Sequence, residues 1–342
     1  MSALTIFTSP SFHDHTPPPG HPERPERADV LDAVAVRAAE RGARAVEPRR
    51  ATREELLRIH TPAHLARLDD VRGRAAMLDA DTFTSPESID LAELAAGAAI
   101  GAVEDVLSGH RRRAMAFVRP PGHHAEPEAA MGFCFLSNVA IAAAAALERG
   151  IPRVAIVDID VHHGNGTERA FASDPRVLFV SLHEWPLYPG TGAVTDVGNG
   201  EGAGFTVNVP IDAGATDADY AHVFERLVEP IADEFAPGLV LVSAGFDAHE
   251  RDPLAHMRLT RAGYAWLAFR LAQLADRHAN GRLVAVTEGG YDLGALGESL
   301  EAMAAVFADT LAPTGDLGRL TGRGATAVAA ARAVQSPRWR GL

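Results

Sequence analysis

Residues 153–167 read RVAIVDIDVHHGNGT, and this stretch decides both the fold class and the place of the site. Its first part, RVAIVDID (153–160), is apolar almost throughout, which predicts a buried strand. Two aspartates and two histidines lie at the end of that run, before the chain breaks at GNG. Acidic and imidazole groups are costly to bury unless they find partners. The stretch therefore predicts a strand that delivers polar ligands to the edge of a sheet.

Apolar runs of the same kind occur along most of the chain. They cover residues 3–7, 113–118, 176–183, 205–211, 239–247 and 282–291. Segments with helical character lie between most of the strands and cover residues 88–109, 137–150, 217–235 and 260–278. Near-continuous apolar strands that alternate with helices are typical of a parallel sheet covered on both faces. We find no repeat and no long polar linker, so we expect one α/β domain over residues 1–342.

Composition narrows the class of protein. The chain has 342 residues, of which 47% are hydrophobic and 23% charged, as in a soluble globular protein with a sizeable core. A net charge of −13 argues against tight sequence-independent binding to nucleic acid. The N-terminal MSALTIFTS has no basic segment and only a short apolar run, so we expect no signal peptide, no membrane span and a cytoplasmic location. The single cysteine, Cys134, lies in the apolar GFCFL, which indicates a buried, inert thiol.

Polar loops follow five of the predicted strands. They read RPPGHH, DIDVHHGNG, SLHEWPLYPGTG, AGFDAHERDP and EGGYDL. Because ligands of open parallel sheets bind outside the carboxyl ends of the strands, we expect these loops to converge on one rim. The candidate functional side chains in them are His123, His124, Asp158, Asp160, His162, His163, Asp247 and Tyr291.

Three of these side chains have the pattern of a metal site. Asp160 and His162 are two residues apart, so they point the same way if the strand persists. Asp247 ends another apolar strand and can supply a third ligand. Three protein ligands with an open position are the catalytic arrangement for zinc, although two carboxylates and an imidazole also suit Fe(II) or Mn(II). Taken singly, such a residue is more often a solvated loop residue, but together, at successive strand ends, the three favour a metal site.

The ordered motifs resemble those of the zinc-dependent histone deacetylase superfamily. The matching segments are GHPERPER (20–27), RPPGHHAEPEAAMGFCFLSNVAIAA (119–143), VDIDVHHGNGT (157–167), SLH with YPGTG (181–192), AGFDAHERDPL (244–254) and EGGYDL (288–293). The PPGHHAE and HHGNG variants resemble class II enzymes and their bacterial relatives, including acetylpolyamine amidohydrolases. The resemblance implies the arginase–deacetylase fold, with a central, mostly parallel sheet of about eight strands flanked by helices.

The resemblance also implies three sets of binding residues. The zinc ligands would be Asp160, His162 and Asp247. A structural potassium ion would be held by side-chain and backbone atoms of Asp158, Asp160, His162, Ser181 and Leu182. The acyl-lysine channel would be lined by Gly132, Phe133, Tyr188 and Leu254.

Catalytic roles are implied for five positions, one of which, Asp158, also belongs to the potassium set. His123 and His124 would be the tandem active-site histidines, hydrogen-bonded to Asp158 and Asn165 respectively. We assign the general base to His124, because an uncharged amide partner leaves it easier to deprotonate. His123, paired with a carboxylate, should stay protonated and stabilise the anionic intermediate. Tyr291 would donate a hydrogen bond to the developing oxyanion.

The substrate is harder to read from the sequence. Leu254 matches a position where peptide-directed relatives carry an apolar residue and polyamine-directed eukaryotic relatives carry an acid. It therefore favours N-acyl-lysine in proteins or peptides, with acetylpolyamines as the alternative substrate. Bacterial polyamine enzymes could place the acid elsewhere, and Glu184, Glu126 and Glu250 are the candidates.

Two other functions and the assembly stay open. A binuclear manganese hydrolase of the arginase type shares the implied fold, but it would need more Asp and His ligands. A catalytically silent protein that binds acyl-lysine or a small molecule is the alternative from another class. The Gly- and Ala-rich tail from about residue 313 could pack through Trp339 on the core or on a neighbouring subunit, so a homo-oligomer is left open.

Overall fold

A central parallel sheet dominates the computed structural model, which describes residues 4–309, 313 and 315–342. Within these residues, eight strands form the sheet in the order β2-β1-β5-β10-β9-β6-β7-β8, and two form a separate antiparallel hairpin, β3-β4. The strands, in chain order, are β1 (Leu4–Phe7), β2 (Arg44–Val46), β3 (Ala76–Asp79), β4 (Thr82–Thr84), β5 (Arg113–Ala116), β6 (Val154–Asp158), β7 (Val177–Glu184), β8 (Thr206–Ile211), β9 (Leu239–Ala244) and β10 (Leu283–Thr287). All the pairings within the large sheet are parallel, which confirms the predicted fold class.

Helices cover both faces of the sheet. They are α1 (Glu26–Glu40), α2 (Arg53–Leu56), α3 (Pro62–Val71), α4 (Ser88–Ser108), α5 (Asn138–Glu148), α6 (Asn165–Phe171), α7 (Asp217–Val223), α8 (Glu229–Phe235), α9 (Arg261–His278), α10 (Leu293–Asp309) and α11 (Arg323–Gln335). Side chains alternate between the faces of a strand. In β6, Ala155 and Val157 therefore pack in the core formed with α1 and α7 to α11, while Val154 and Ile156 pack in the core under α4 and α5. None of the helices in the described part of the chain has the length and apolarity needed to cross a membrane.

The seven apolar runs all form strands of the large sheet, with ends shifted by a few residues. The predicted helix over 217–235 is interrupted by a π-helical turn at Phe224–Val228. In the tail, Trp339 packs against Phe205 and Phe235 of the same chain, and its indole N–H donates to the Gly204 carbonyl at 3.0 Å. Residues 1–3 of the N-terminal segment and residue 314 of the tail lie outside the described residues.

The parallel direction of the strands places the site. Because the strands run the same way, their carboxyl ends share one edge of the sheet. The loops that follow β5, β10, β9, β6 and β7 therefore leave from neighbouring positions along that edge. These five loops carry the candidate residues that the sequence predicts.

Candidate active site

The three predicted metal ligands lie together at the carboxyl edge of the sheet. Asp160 and His162 follow β6, and Asp247 follows its neighbour β9. The Nδ1 atom of His162 is 3.1 Å from Asp160 Oδ1 and 3.1 Å from Asp247 Oδ2. One ligand atom from each residue lies within 4.8 Å of the others, and all three side chains are buried. The arrangement converges on a single point that one ion could occupy.

Backbone amides and a close-packed loop hold the two carboxylates in place. Asp247 Oδ1 accepts the N–H of Val161 at 3.0 Å, and Asp160 Oδ2 accepts the N–H of Gly289 at 2.9 Å. A Cβ atom on Gly289 would lie 2.0 Å from Asp247 Oδ2, so only glycine fits this close approach. The loop after β10 therefore sets the position of both carboxylates.

The electrostatics of this cluster fit a cation. Burial and the charge of Asp160 raise the pKa of Asp247, because two carboxylates lie side by side away from water. Burial opposes the charged form of His162, but the two carboxylates outweigh it and raise its pKa to about 10. The cluster therefore draws positive charge to itself. Two carboxylates and one imidazole are a donor set that suits Zn²⁺, Fe²⁺ or Mn²⁺.

The tandem histidines stand beside the cluster with different partners. His123 Nδ1 lies 3.0 Å from Asp158 Oδ2, and His124 Nδ1 lies 2.8 Å from Asn165 Oδ1. Burial lowers the pKa of His123, but nearby carboxylates outweigh it and raise that pKa well above its usual value. Burial and the charges of neighbouring histidines hold the pKa of His124 well below its usual value. The pair can therefore offer one protonated and one neutral imidazole.

Tyr291 faces the channel from the loop after β10. Burial raises the pKa of its phenol well above 10, so the hydroxyl stays protonated and can donate a hydrogen bond. Its backbone N–H donates to Asp252 Oδ2 at 2.7 Å. The guanidinium of Arg27 lies 5.1 Å from the centre of the Tyr291 ring and donates to the Gly290 carbonyl at 2.8 Å. These contacts fix the loop that presents the phenol.

A cavity of about 230 Å³ leads to the cluster. It is lined by Asp81, His124, Gly132, Phe133, His162, Leu187, Tyr188, Leu254 and Tyr291. All four channel residues implied by the sequence are among them, whereas Asp81 and Leu187 were missed. A Cβ atom on Gly132 would lie 2.5 Å from the ring of His124, which explains glycine at this position.

The β3-β4 hairpin holds the channel wall. At its turn, Asp81 Oδ1 accepts the N–H of Gly132 at 3.2 Å, and Thr82 Oγ1 accepts the N–H of Phe133 at 3.1 Å. These bonds support Phe133 at a φ of 68°, a left-handed conformation that is unfavourable for a bulky residue. His21 lies within 3.0 Å of the Asp81 carbonyl and packs on the Phe133 ring. No apolar periodicity marks this hairpin in the sequence.

The residues expected to hold potassium meet between two strands. Asp158 of β6 is paired in register with Ser181 of β7, and both side chains are fully buried. Ser181 Oγ lies 3.0 Å from Nδ1 of His183, and Asp158 Oδ1 accepts the N–H of Asp160 at 3.1 Å. Leu182 is the next residue of β7 and is also buried. The ion itself stays a prediction.

His163 and His15 lie outside the cluster. His163 Nδ1 lies 2.8 Å from Thr191 Oγ1, and its Nε2 lies 3.0 Å from Glu168 Oε2, so both ring nitrogens of this candidate bond within the loops and not to the cluster. His15 is also buried, with Nδ1 2.7 Å from Ser88 Oγ.

The fold and the cluster together define a class: α/β proteins with a candidate divalent-metal site at the carboxyl edge of a parallel sheet. Within that class, residues 21–307 match the histone deacetylase domain. The chain therefore belongs to the histone deacetylase family of amidohydrolases, which confirms the resemblance seen in the motifs.

Two curated relatives and one solved structure illustrate the match. A probable deacetylase of Archaeoglobus fulgidus is 43% identical over 295 residues, which cover 84% of this chain and 82% of that protein. The polyamine deacetylase HDAC10 of Homo sapiens is 39% identical over 338 residues, which cover 94% of this chain but 50% of the human protein. The crystal structure of the HDA15 HD domain superposes with a TM-score of 0.92 at 35% identity, covering 99% of this chain and 96% of that one. The last match confirms the arginase–deacetylase fold.

Proposed function

We propose that the protein is a zinc-dependent deacetylase that removes acetyl or other short acyl groups from N-acyl-lysine side chains of proteins or peptides. The observation that carries this proposal is the buried cluster of Asp160, His162 and Asp247 beside a largely apolar cavity of about 230 Å³. A small, mostly apolar cavity with a few polar groups at one end can take a linear acyl-amide side chain.

The chain's own residues supply the groups that amide hydrolysis requires. Bound zinc would lower the pKa of a water molecule and polarise the amide carbonyl. His124, held neutral by burial and its charged neighbours, accepts a proton from the attacking water and returns one to the departing amine. His123 stays protonated beside Asp158 and stabilises negative charge on the substrate oxygen. Tyr291 donates its phenolic hydrogen to the same oxygen.

We also propose that a potassium ion lies behind the zinc site. The support is the pairing of Asp158 with Ser181 between β6 and β7, which brings a buried carboxylate next to a buried hydroxyl. Backbone oxygens of Asp160, His162 and Leu182 would complete its shell.

The placement of acidic side chains supports lysine over a polyamine. The acids considered for a second cationic centre are Glu184, Glu126 and Glu250, and none of them lines the cavity. Glu184 accepts two hydrogen bonds from His256, and Glu126 is engaged by Asn165 and Arg169.

Acetylpolyamines remain the second candidate substrate because Asp81, at the hairpin turn, does line the cavity. One relative is also named a polyamine deacetylase. A binuclear manganese site has less support, since Asp160, His162 and Asp247 are the one metal-binding group found among the described residues.

A silent binding protein has less support still, because His123, His124 and Tyr291 border the cluster or the channel. In addition, Asp158 and Asn165 lie within hydrogen-bond distance of the two histidines.

Hydrolysis of three substrates tests the proposal. An acetyl-lysine peptide, N-acetylputrescine and N8-acetylspermidine are compared at matched concentrations, with and without a chelator. We expect the highest kcat/KM for the peptide, loss of activity with chelator and recovery with Zn²⁺. A higher kcat/KM for either polyamine would move the assignment to the alternative, and two manganese ions per chain would favour the arginase type.

A further inference from the structure

Glu288 is a fully buried carboxylate that has no part in the roles assigned above. It follows β10, in the loop that also carries Tyr291. Its Oε2 atom accepts two backbone N–H groups, from Gly122 at 2.6 Å and from His123 at 3.1 Å. Its Oε1 atom has no hydrogen-bond partner among the described residues. One oxygen therefore makes both of the contacts of this side chain.

These two hydrogen bonds join two loops that come from different strands. Gly122 and His123 belong to the loop after β5, and β5 pairs with β10 in the sheet. Glu288 thus spans the gap between the loop of the tandem histidines and the loop of Tyr291. The side chains of these loops act on the same substrate oxygen, so the distance between the loops matters for the reaction.

Each loop also makes a contact with a helix, the histidine loop with α5 and the tyrosine loop with α1. A Cβ atom on Gly122 would lie 2.5 Å from the backbone N of Asn138, so the histidine loop packs closely on the start of α5. Arg27 donates to the carbonyls of Glu288 and Gly290, which fixes the tyrosine loop from the side of α1. The Glu288 side chain bonds to the histidine loop, while its own backbone carbonyl accepts from Arg27.

Arg27 belongs to a buried cluster of charged side chains with Glu23 and Arg119. Glu23 accepts from Arg27 at 2.8 Å and from Arg119 at 2.6 Å. Arg119 opens the histidine loop, three residues before Gly122. The two loops are therefore joined twice. One link runs from Arg119 through Glu23 to Arg27, which bonds the tyrosine loop, and the other is the Glu288 side chain.

We propose that Glu288 is a positioning residue that sets His123 relative to Tyr291 by accepting the two backbone N–H groups. This inference rests on the proposed deacetylase reaction. Acceptor capacity, and not negative charge, is the property required, because a single oxygen receives both bonds. A neutral side chain of the same shape should also hold His123 in place if it keeps an oxygen that accepts both N–H groups.

The test compares Glu288→Gln with Glu288→Met. Glutamine keeps a carbonyl oxygen that can accept both N–H groups, whereas methionine has a similar length and no comparable acceptor. On the acetyl-lysine peptide we expect kcat of Glu288→Gln within about threefold of the wild type. We expect kcat of Glu288→Met to fall about 100-fold with KM within about threefold, since a misplacement of about 1 Å can cost that much in rate.

Zinc content per chain and the thermal midpoint are measured on the same samples, and kcat is expressed per zinc-loaded folded chain. Glu301→Gln and Glu301→Met are the matched control pair, because Glu301 lies on α10 and pairs with Arg37 and Arg41, away from the cavity. Both control variants should retain wild-type kcat.

Wild-type kcat in both Glu288 variants would overturn the proposal. A loss in Glu288→Met that disappears once kcat is corrected for folded, zinc-loaded protein would overturn it as well. A loss as large in Glu288→Gln as in Glu288→Met would assign the role to charge and also overturn it. A wild-type enzyme that hydrolyses none of the three acetylated substrates would instead remove the proposed function, and the positioning role with it.

Discussion

The two candidate active-site histidines have different surroundings, which set what each could do. His123 and His124 are adjacent in the chain, and their ring centres lie 4.0 Å apart. One faces the carboxylate of Asp158 and the other the amide oxygen of Asn165. Burial lowers the pKa of both rings, but the carboxylates of Asp160 and Asp158 outweigh it at His123, whereas the charges of neighbouring histidines lower the pKa of His124 further, so the two rings are driven to opposite protonation states. A proton acceptor and a cationic stabiliser can thus stand side by side.

Replacement of Tyr291 by Phe should remove catalysis and leave the metal site. The phenol is not one of the three ligand groups, and the backbone N–H of residue 291 keeps its bond to Asp252. Loss of one donor to an oxyanion typically costs roughly 3–4 kcal/mol of transition-state stabilisation, or about 10²–10³ in kcat. Steady-state kinetics and zinc analysis on one preparation check this. Near-normal activity would refute the assignment of Tyr291.

Cys134 should be unreactive in the folded protein. The thiol is fully buried, and burial raises its pKa well above 9. A raised thiol pKa means that the neutral form persists at pH 8, and the thiolate is the reactive form. A disulfide-exchange reagent at pH 8 should therefore label no thiol in native protein and one thiol per chain in urea. Rapid labelling of the native protein would show that the thiol is accessible.

At the scale of elements, apolar patterning predicts the strands whose side chains are buried and misses those whose side chains are partly or largely exposed. The seven predicted strands lie in the interior of the sheet or are backed by helices, so they are apolar on both faces. The missed strand β2 is three residues long, at the edge of the sheet, with mostly exposed side chains. The β3-β4 hairpin is missed for a similar reason, although its turn supplies Asp81 to the channel.

Gly289→Ala should weaken metal binding through the loop after β10. The added Cβ would lie 2.0 Å from Asp247 Oδ2 and 2.8 Å from Asp160 Oδ2, so the loop or the carboxylates must shift. A shift of either disturbs the ligand geometry, and we expect at least a tenfold loss of zinc affinity, the size typical of damage around a metal site. Competition with a coloured chelator measures it.

Gly294→Ala is the matched control for this loop. Gly294 lies in the first turn of α10, where the nearest atom to an added Cβ is 3.4 Å away. Alanine in a helix is favoured over glycine by up to about 1 kcal/mol, so zinc affinity should be unchanged and stability unchanged or higher. Equal zinc affinity in Gly289→Ala and Gly294→Ala would contradict the contact between the loop and the ligands.

At the scale of the whole molecule, the site depends on the order of strands, which local patterns do not encode. Asp160 and Asp247 are predicted as partners because both end apolar strands, and they meet because β6 and β9 are neighbours. Glu288 carries the same signal, an acid directly after an apolar strand, but its partners are backbone amides that no residue pattern reveals. Side-chain ligands are therefore easier to predict from sequence than the contacts that hold their loops.

Metal removal should destabilise the whole fold, because the cluster joins the ends of two central strands. A ligand that binds only the folded state stabilises it by about 2.7 kcal/mol at 100 times its dissociation constant. We expect a chelator to lower the thermal midpoint and excess Zn²⁺ to restore it. Differential scanning fluorimetry at pH 8 measures both, with Asp247→Asn as the companion variant, since asparagine keeps the shape and the Oδ1 acceptor for Val161.

Ionisation of Asp247 should make the metal-free wild type and the Asp247→Asn variant differ in stability in a pH-dependent way. Burial and the charge of Asp160 raise the pKa of Asp247 in the folded, metal-free protein above its usual 3.8. The folded state therefore binds the Asp247 proton more tightly than the unfolded state does, and the metal-free protein loses stability as pH rises from 3.8 through the raised pKa. Asparagine cannot ionise, so metal-free Asp247→Asn should melt higher than the metal-free wild type at pH 8, with a smaller difference at pH 5.5. Zinc should then raise the midpoint of the wild type far more than that of the variant. Equal shifts in both proteins would mean that Asp247 is not a ligand.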